Sequence, residues 1–187
     1  MAAPRQLKFN ILDKPLNKGK NEISINAFAF LFSEIVQYCQ NRVYSVTELQ
    51  TKLAEMGYHV GQRIVDPIFL REKNFRRETK LLQMLIFIKT TLWKVLFGKE
   101  ADELVHDKED DKTYYIMEKE PIVNKFISVP KDKGTLNCAA FITGILEAVL
   151  NATNFPAKVS THWHEGTTYK IKFEDHVISR DRSLEGK

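Results

Sequence analysis

Apolar residues fall on two sides of the first helical stretch. From about Ser24 to Arg42, Ile25, Phe28, Ala29, Phe32, Ile35, Val36 and Cys39 share one face at helical spacing. Ile23, Ala27, Phe30, Leu31 and Tyr38 fall on the opposite side. A helix that is apolar on both sides needs cover on both. One face meets the chain's own core; the other meets either the rest of this domain or a different chain.

Ser45-Val46-Thr47-Glu48 is a capping box, so a second helix starts there and runs to Met56 with Leu49 and Leu53 as its apolar positions. Gly57 supplies a left-handed stop. A third helix carries Val60, Ile64, Val65 and Ile68, with Gly61 for close packing, and Pro67 kinks it or ends it early. The longest helix spans about Arg76 to Phe97, is apolar around most of its circumference, and stops at Gly98. This is the expected central core helix.

Residues 99–112 carry seven acids and three bases and read as a solvated loop with at most one helical turn. Thr113 to Val129 is strand-like, broken at Glu120-Pro121. A helix follows from about Leu136 to Asn151, with Gly144 permitting close helix contact. Val159, Thr161 and Trp163 then alternate, His164-Glu165-Gly166-Thr167 turns, and Tyr169, Ile171 and Phe173 alternate back as a hairpin. The expected organisation is an arm over residues 1–22, one domain over 23–173 and a polar tail over 174–187.

The 187 residues, 43% hydrophobic and 28% charged, have the length and composition of a single globular domain. The opening residues lack the apolar core of a signal peptide, and the stretch around Leu81 to Ile88 is too short to cross a bilayer. The expected setting is therefore cytoplasmic. Charge is unevenly spread. Arg5, Lys8, Lys14, Lys18 and Lys20 stand against Asp13 in the first twenty residues, which hold the whole net excess of +4. A basic arm on a balanced body suits an acidic protein or a membrane surface better than nucleic acid. It also fits a solvated tail. Leu7, Phe9, Ile11, Leu12 and Leu16 interleave with its charges, so the arm has residues with which to lie on its own domain or on a partner. Arg71, Lys73, Arg76 and Arg77 form a second basic run, set against Glu72 and Glu78.

Candidate chemistry is sparse. His162 and His164 alternate along a strand, but no further Cys or His completes a zinc spacing, and Trp163 between them is the expected inward residue. Phosphate-binding glycine loops and the GxSxG elbow are missing from the sequence. Cys39 and Cys138 sit in apolar helical patterns and read as small buried hydrophobes. No catalytic residue, metal ligand or cofactor site is expected, and the reading is of assembly rather than catalysis.

Several motifs occur together in a fixed order. Gly57-Tyr58-His59-Val60-Gly61-Gln62-Arg63-Ile64 resembles the G-[FY]-x-[IV]-G-x-R-[ILV] signature of the TRAPP (transport protein particle) small subunits of the Bet-three-like family. Phe75-Arg76-Arg77-Glu78-Thr79 resembles the opening of that family's central helix, and Glu120-Pro121-Ile122-Val123 its recurring [NE]-P-[LI]-[VI] element. The Leu136-to-Leu150 helix and the final hairpin follow in the expected order. The similarity covers about Ile23 to Phe173. Finer features, such as Phe97-Gly98-Lys99-Glu100-Ala101-Asp102 and Thr135-Leu136-Asn137-Cys138-Ala139, are similar to one branch of the family in particular.

The resemblance implies an α+β fold with about five helices packed on one side of a small antiparallel sheet. It implies side-by-side assembly through the early helices, making Ala27, Phe30, Leu31, Tyr38, Leu49 and Leu53 the expected partner-binding faces. Arg5, Lys8, Lys14, Lys18, Lys20, Arg71, Lys73, Arg76 and Arg77 become a candidate basic contact surface. The implied partners are a Bet-three-like paralogue and longin-like subunits, with a Rab GTPase and peripheral membrane contact through the complex. The implied role is in a particle that tethers vesicles between endoplasmic reticulum and Golgi and promotes nucleotide exchange on that GTPase. A second reading is a binder of an acyl chain or other apolar ligand in a helix-lined pocket. In the family's best-known member an acylated cysteine precedes the central helix. Here that position falls at about Lys73, with no cysteine nearby.

Overall fold

The computed structural model describes residues 23–73, 78–129, 131 and 134–185. The basic arm, with Arg5, Lys8, Lys14, Lys18 and Lys20, lies outside the described residues, as do Arg76, Arg77 and the side chain of Lys73. The first helix, α1 (Ile25–Gln40), forms as its pattern predicts: Ser24 Oγ accepts from Asn26 N–H at 3.3 Å, and Phe32, Val36 and Cys39 are buried.

The second helix departs from the expectation. Its capping box is present, with Glu48 N–H donating to Ser45 Oγ at 3.1 Å and Tyr44 N–H donating to Glu48 Oε2 at 2.9 Å. From there α2 (Val46–Lys73) runs unbroken for 28 residues, about 42 Å. Two helices were expected, divided at Gly57. Gly57 is instead a contact point. A Cβ there would lie 1.9 Å from the carbonyl oxygen of Phe141, and one at Gly61 would lie 2.6 Å from Ala148 Cβ. Pro67 does not end the helix. It lies on the exposed side of the helix, where the Arg63 carbonyl that its missing N–H leaves without a helical partner is open to solvent.

The central helix is shorter than its apolar pattern suggests. It comprises α3 (Leu81–Phe87), a π-helical segment (Ile88–Leu92) and α4 (Trp93–Phe97), ending at Gly98 with φ of 76°. It begins at Leu81 rather than Arg76. Lys80 caps it without a side-chain bond, and Asp181 supplies the cap from across the fold, accepting from Leu81 N–H at 2.8 Å. In the π segment Trp93 N–H reaches back to the Ile88 carbonyl. That frees the Lys89 carbonyl to accept from Ala101 N–H at 3.0 Å, which turns the chain into the sheet.

Four antiparallel strands follow in the order β1-β2-β4-β3: β1 (Glu103–His106), β2 (Thr113–Glu118), β3 (Ala157–Trp163) and β4 (Thr167–Phe173). Strand β1 lies within the segment expected to be a loop. The acids there build the β1–β2 turn: Asp107 Oδ1 accepts from Glu109 N–H at 2.8 Å, and Asp110 Oδ1 from Lys112 N–H at 3.1 Å. The expected strand after Pro121 is one helical turn, α5 (Ile122–Lys125), which buries Val123. The hairpin forms as predicted, with Glu165 and Gly166 at φ of 45° and 110°.

Helix α6 (Ala140–Ala152) starts four residues later than its pattern suggests. Asn137, buried, organises its start: Oδ1 accepts from Ala139 N–H at 3.0 Å and from Asn124 Nδ2 at 2.9 Å. Helices α2 and α6 make the most extensive helix contact of the fold, crossing where Gly57, Gly61 and Gly144 remove side chains. The tail expected after Phe173 is a helix, α7 (Asp175–Glu185). It is polar overall, but Val177 and Ile178 are buried in the core. Counting the central helix once, six helices accompany the sheet among the described residues, one more than expected. They lie over the sheet face that carries Tyr169, Ile171 and Phe173. Lys158, Ser160, His162 and Lys172 are exposed on the other face.

Candidate interaction surface

The outward face of α1 is bare. Phe30 is 78% exposed, Leu31 62% and Ile23 79%, with Ala27 and Tyr38 exposed along the same side. The opposite side packs on α2 and α6, where Phe28 stacks on Phe32 and Phe32 meets Phe141 edge-on at 5.4 Å. The two-faced pattern in the sequence therefore resolves into one buried and one open side. At its C-terminal end the open side is held in shape. Arg42 lies over the Tyr38 ring, 3.5 Å from its centroid, and its guanidinium donates to the Tyr38 carbonyl at 3.0 Å. Tyr44, fully exposed, extends the surface.

Two of the expected partner-binding residues are not available. Leu49 and Leu53 are 2% and 0% exposed and belong to the chain's own core. They occupy the same stripe of α2 as Gly57 and Gly61, so the face that packs on α6 cannot also meet a neighbour. Of the second basic run, Arg71 is exposed at the end of α2.

The sequence pattern also hid a second apolar surface. Leu82, Ile86 and Val95 are 46–55% exposed on the flank of the central helix, while Met84, Leu85, Ile88, Leu92 and Trp93 fill the core beneath. The i, i+4 pair Leu82 and Ile86 was the available signal, masked by apolar residues on every side of that helix.

Trp163 keeps the core-side face of β3, opposite the buried Thr167, but is 55% exposed at the end of the strand. His162 and His164 are both exposed, and His162 Nε2 lies 3.1 Å from Ser160 Oγ. Both cysteines are buried free thiols. Burial raises the pKa of Cys39 and pushes Cys138 to about 11, so both are held protonated and are poor nucleophiles.

Among the described residues one carboxyl group is buried. Glu118, 1% exposed, ends β2 against the Trp93 indole and the Tyr169 hydroxyl, and Lys99 Nζ lies 3.1 Å from its Oε1. Trp93 Nε1, Tyr169 Oη and both carboxylate oxygens lack well-formed hydrogen bonds, the Lys99 contact included. Desolvation raises the Glu118 pKa above its ordinary value; Lys99 and Trp93 oppose it. A raised carboxylate stabilises the fold below the unfolded-state pKa and loses that contribution as pH rises through the folded value. The variant E118Q, freed of this cost, is expected to gain stability relative to wild type as pH rises above the ordinary glutamate range, read by urea unfolding across that range. A relative loss over that range would contradict the assignment.

The chain has relatives of high identity along nearly its whole length. The family model for transport protein particle (TRAPP) components matches residues 28–174. The chicken protein named trafficking protein particle complex subunit 5 is 59% identical over 180 residues, covering 96% of each chain. The human protein of the same name is 56% identical over the same share. The chain belongs to the TRAPP family. The branch suggested by the finer motifs around Phe97 and Thr135 is this subunit 5. Among solved structures, a TRAPP subunit 3 from Naegleria fowleri, covalently bound to palmitic acid, has the same fold. It superposes with a TM-score of 0.71 at 17% identity, covering 81% of this chain and 95% of that one. The TRAPP model ends at Glu174, yet α7 beyond it caps the central helix and buries Val177.

Proposed function

We propose that this chain is a non-catalytic scaffold subunit of a TRAPP vesicle-tethering complex. In this reading it supports guanine-nucleotide exchange on a Rab GTPase during transport from endoplasmic reticulum to Golgi. It works at the cytoplasmic surface of endoplasmic reticulum and cis-Golgi membranes, reached through the complex. No described helix is long and apolar enough to cross a membrane. The observation that carries the proposal is the open side of α1, where Ala27, Phe30, Leu31 and Tyr38 form one apolar face of a helix otherwise packed on its own domain. A face of this kind marks a protein contact. Its occupants are a Bet-three-like paralogue or a longin-like subunit.

The basic residues serve as the candidate contact to a neighbour or to the GTPase. Deleting residues 1–20 removes five cations and one acid. It is expected to slow exchange by a reconstituted particle, more at low than at high salt, because steering by exposed charge is screened. Unchanged exchange and unchanged assembly would remove the arm from this role.

The second reading, an acyl-chain binder, is favoured by the palmitic acid on the structural neighbour. This chain's residues give it less support. Its two cysteines are buried and protonated, and Met84, Leu85, Ile88, Leu92 and Trp93 fill the space beside the central helix.

A further inference from the structure

Three consecutive charged side chains tie the last turns of α7 to the domain. Arg180 donates to the Asn154 carbonyl at 2.6 Å and lies over the Phe155 ring, 4.7 Å from its centroid. Asp181 accepts from Leu81 N–H at 2.8 Å and so caps the central helix. Arg182 reaches the β1–β2 turn, where it pairs with Asp111 at 2.7 Å. The next residue, Ser183, is exposed, and its hydroxyl donates to the Arg180 carbonyl one turn back at 2.7 Å.

An exposed hydroxyl in the last turn of a helix, with arginine three residues and one residue before it, has the chemistry of a phosphate acceptor. Helix ends open readily. The opened segment presents two guanidinium groups to the carboxylates of a kinase whose substrate cleft selects arginine. Ser45 follows Arg42 at the same spacing of three, but both are engaged. Ser45 Oγ accepts from Glu48 N–H at 3.1 Å at the head of the 28-residue α2, and Arg42 lies on the Tyr38 ring.

We propose that Ser183 is the acceptor of an arginine-directed serine/threonine kinase and that its phosphate releases the end of α7 from the domain. In the transfer, Ser183 Oγ attacks the γ-phosphorus of ATP and the bond to the β–γ bridging oxygen breaks. ADP leaves, and the hydroxyl proton passes to the kinase's base. The product has no proton to donate to the Arg180 carbonyl. It adds about two negative charges at a helix end where the backbone carbonyls already concentrate negative charge, two residues from Asp181. A phosphate in that position frays the turn. It is also a stronger, bidentate partner for Arg180 and Arg182 than the Asn154 carbonyl and Asp111. With the turn unwound, Asp181 leaves the Leu81 amide. The central helix then loses its cap, since Lys80 makes no side-chain capping bond. The change falls beside Leu82, at the start of the exposed apolar flank, and depends on no partner of α1.

The full chain and its S183A variant, incubated with Mg-ATP and the catalytic subunit of cAMP-dependent protein kinase, test both steps. Mass spectrometry should place phosphate on Ser183 in the full chain, with loss of that transfer in S183A. Amide exchange by NMR should then be roughly tenfold faster at Leu81 in the phosphorylated chain, and return to the starting rate after phosphatase treatment. The amide of Leu146, buried in α6, should keep its rate. Phosphate on Ser45 or Thr79 in place of Ser183, or equal transfer to S183A, overturns the assignment. Unchanged exchange at Leu81 in the fully phosphorylated chain overturns the release, as does equal acceleration at Leu146, which would mean that the whole domain loosens.

Discussion

Replacing Phe30 and Leu31 together by glutamate is expected to weaken association with a neighbouring TRAPP subunit by two orders of magnitude or more. The domain itself should stay folded. Both side chains project from α1 with most of their surface bare. Each contributes to the complex only if a partner covers it, and central apolar anchors of an interface cost ~2 kcal/mol or more when lost. Two carboxylates placed there would be stripped of water without a counter-charge. In the free chain they stand in solvent on a helix that glutamate suits, so unfolding should shift by less than about 1 kcal/mol. Titration by calorimetry, with circular dichroism melting as the control, separates the two effects. Loss of binding together with loss of folding would mean that α1 serves only its own domain.

The opposite split is expected at the crossing of α2 and α6. A Cβ at Gly144 would lie 1.8 Å from the Ala54 carbonyl oxygen and 2.6 Å from the Tyr58 nitrogen. These are backbone atoms, so no side chain can swing aside, and the helices must separate. Alanine ordinarily stabilises a helix interior by up to ~1 kcal/mol over glycine. Here G144A is expected to cost more than ~3 kcal/mol, lowering Tm by roughly 6–12 °C. Gly98 provides the contrast. It has open space around its would-be Cβ but a φ of 76°, so G98A should cost only about 1–2 kcal/mol, from the backbone alone. If G144A melted with wild type, the close crossing would be wrong, and with it the reason α2 continues through Gly57.

Much of the fold was legible in local patterns, and the misses have a common physical origin. The cap at Ser45, the left-handed stop at Gly98 and the final hairpin are set by short-range chemistry, and each appears where the residues place it. Gly57 carries the same local signal as Gly98 but sits against the Phe141 backbone, so tertiary packing decided its role. Strand β1 was hidden because Asp107 and Asp110 look like solvated charges. They are the turn itself, and Tyr115 hydroxyl donates to Asp107 Oδ2 at 2.6 Å. Their carboxyl pKa values are lowered, chiefly by the Tyr115 hydrogen bond for Asp107 and the Lys112 amide for Asp110. Helix α7 was missed because it buries little beyond Val177 and Ile178 in eleven residues.

The open side of α1 was legible for a different reason. A helix with apolar residues on both sides calls for cover on both, and this domain covers one. The same argument failed for Leu49 and Leu53, whose side of α2 packs within the domain. It also passed over Leu82 and Ile86, because on an all-apolar helix no side stands out.

The central claim is that this chain works as part of an assembly, and native mass spectrometry on the tagged chain, gently purified from cells, tests it most directly. The account predicts stoichiometric co-purification with other small TRAPP subunits, lost on introducing F30E and L31E. A lone monomer carrying a small ligand or a metal ion would contradict it and move the search for function into the domain's interior.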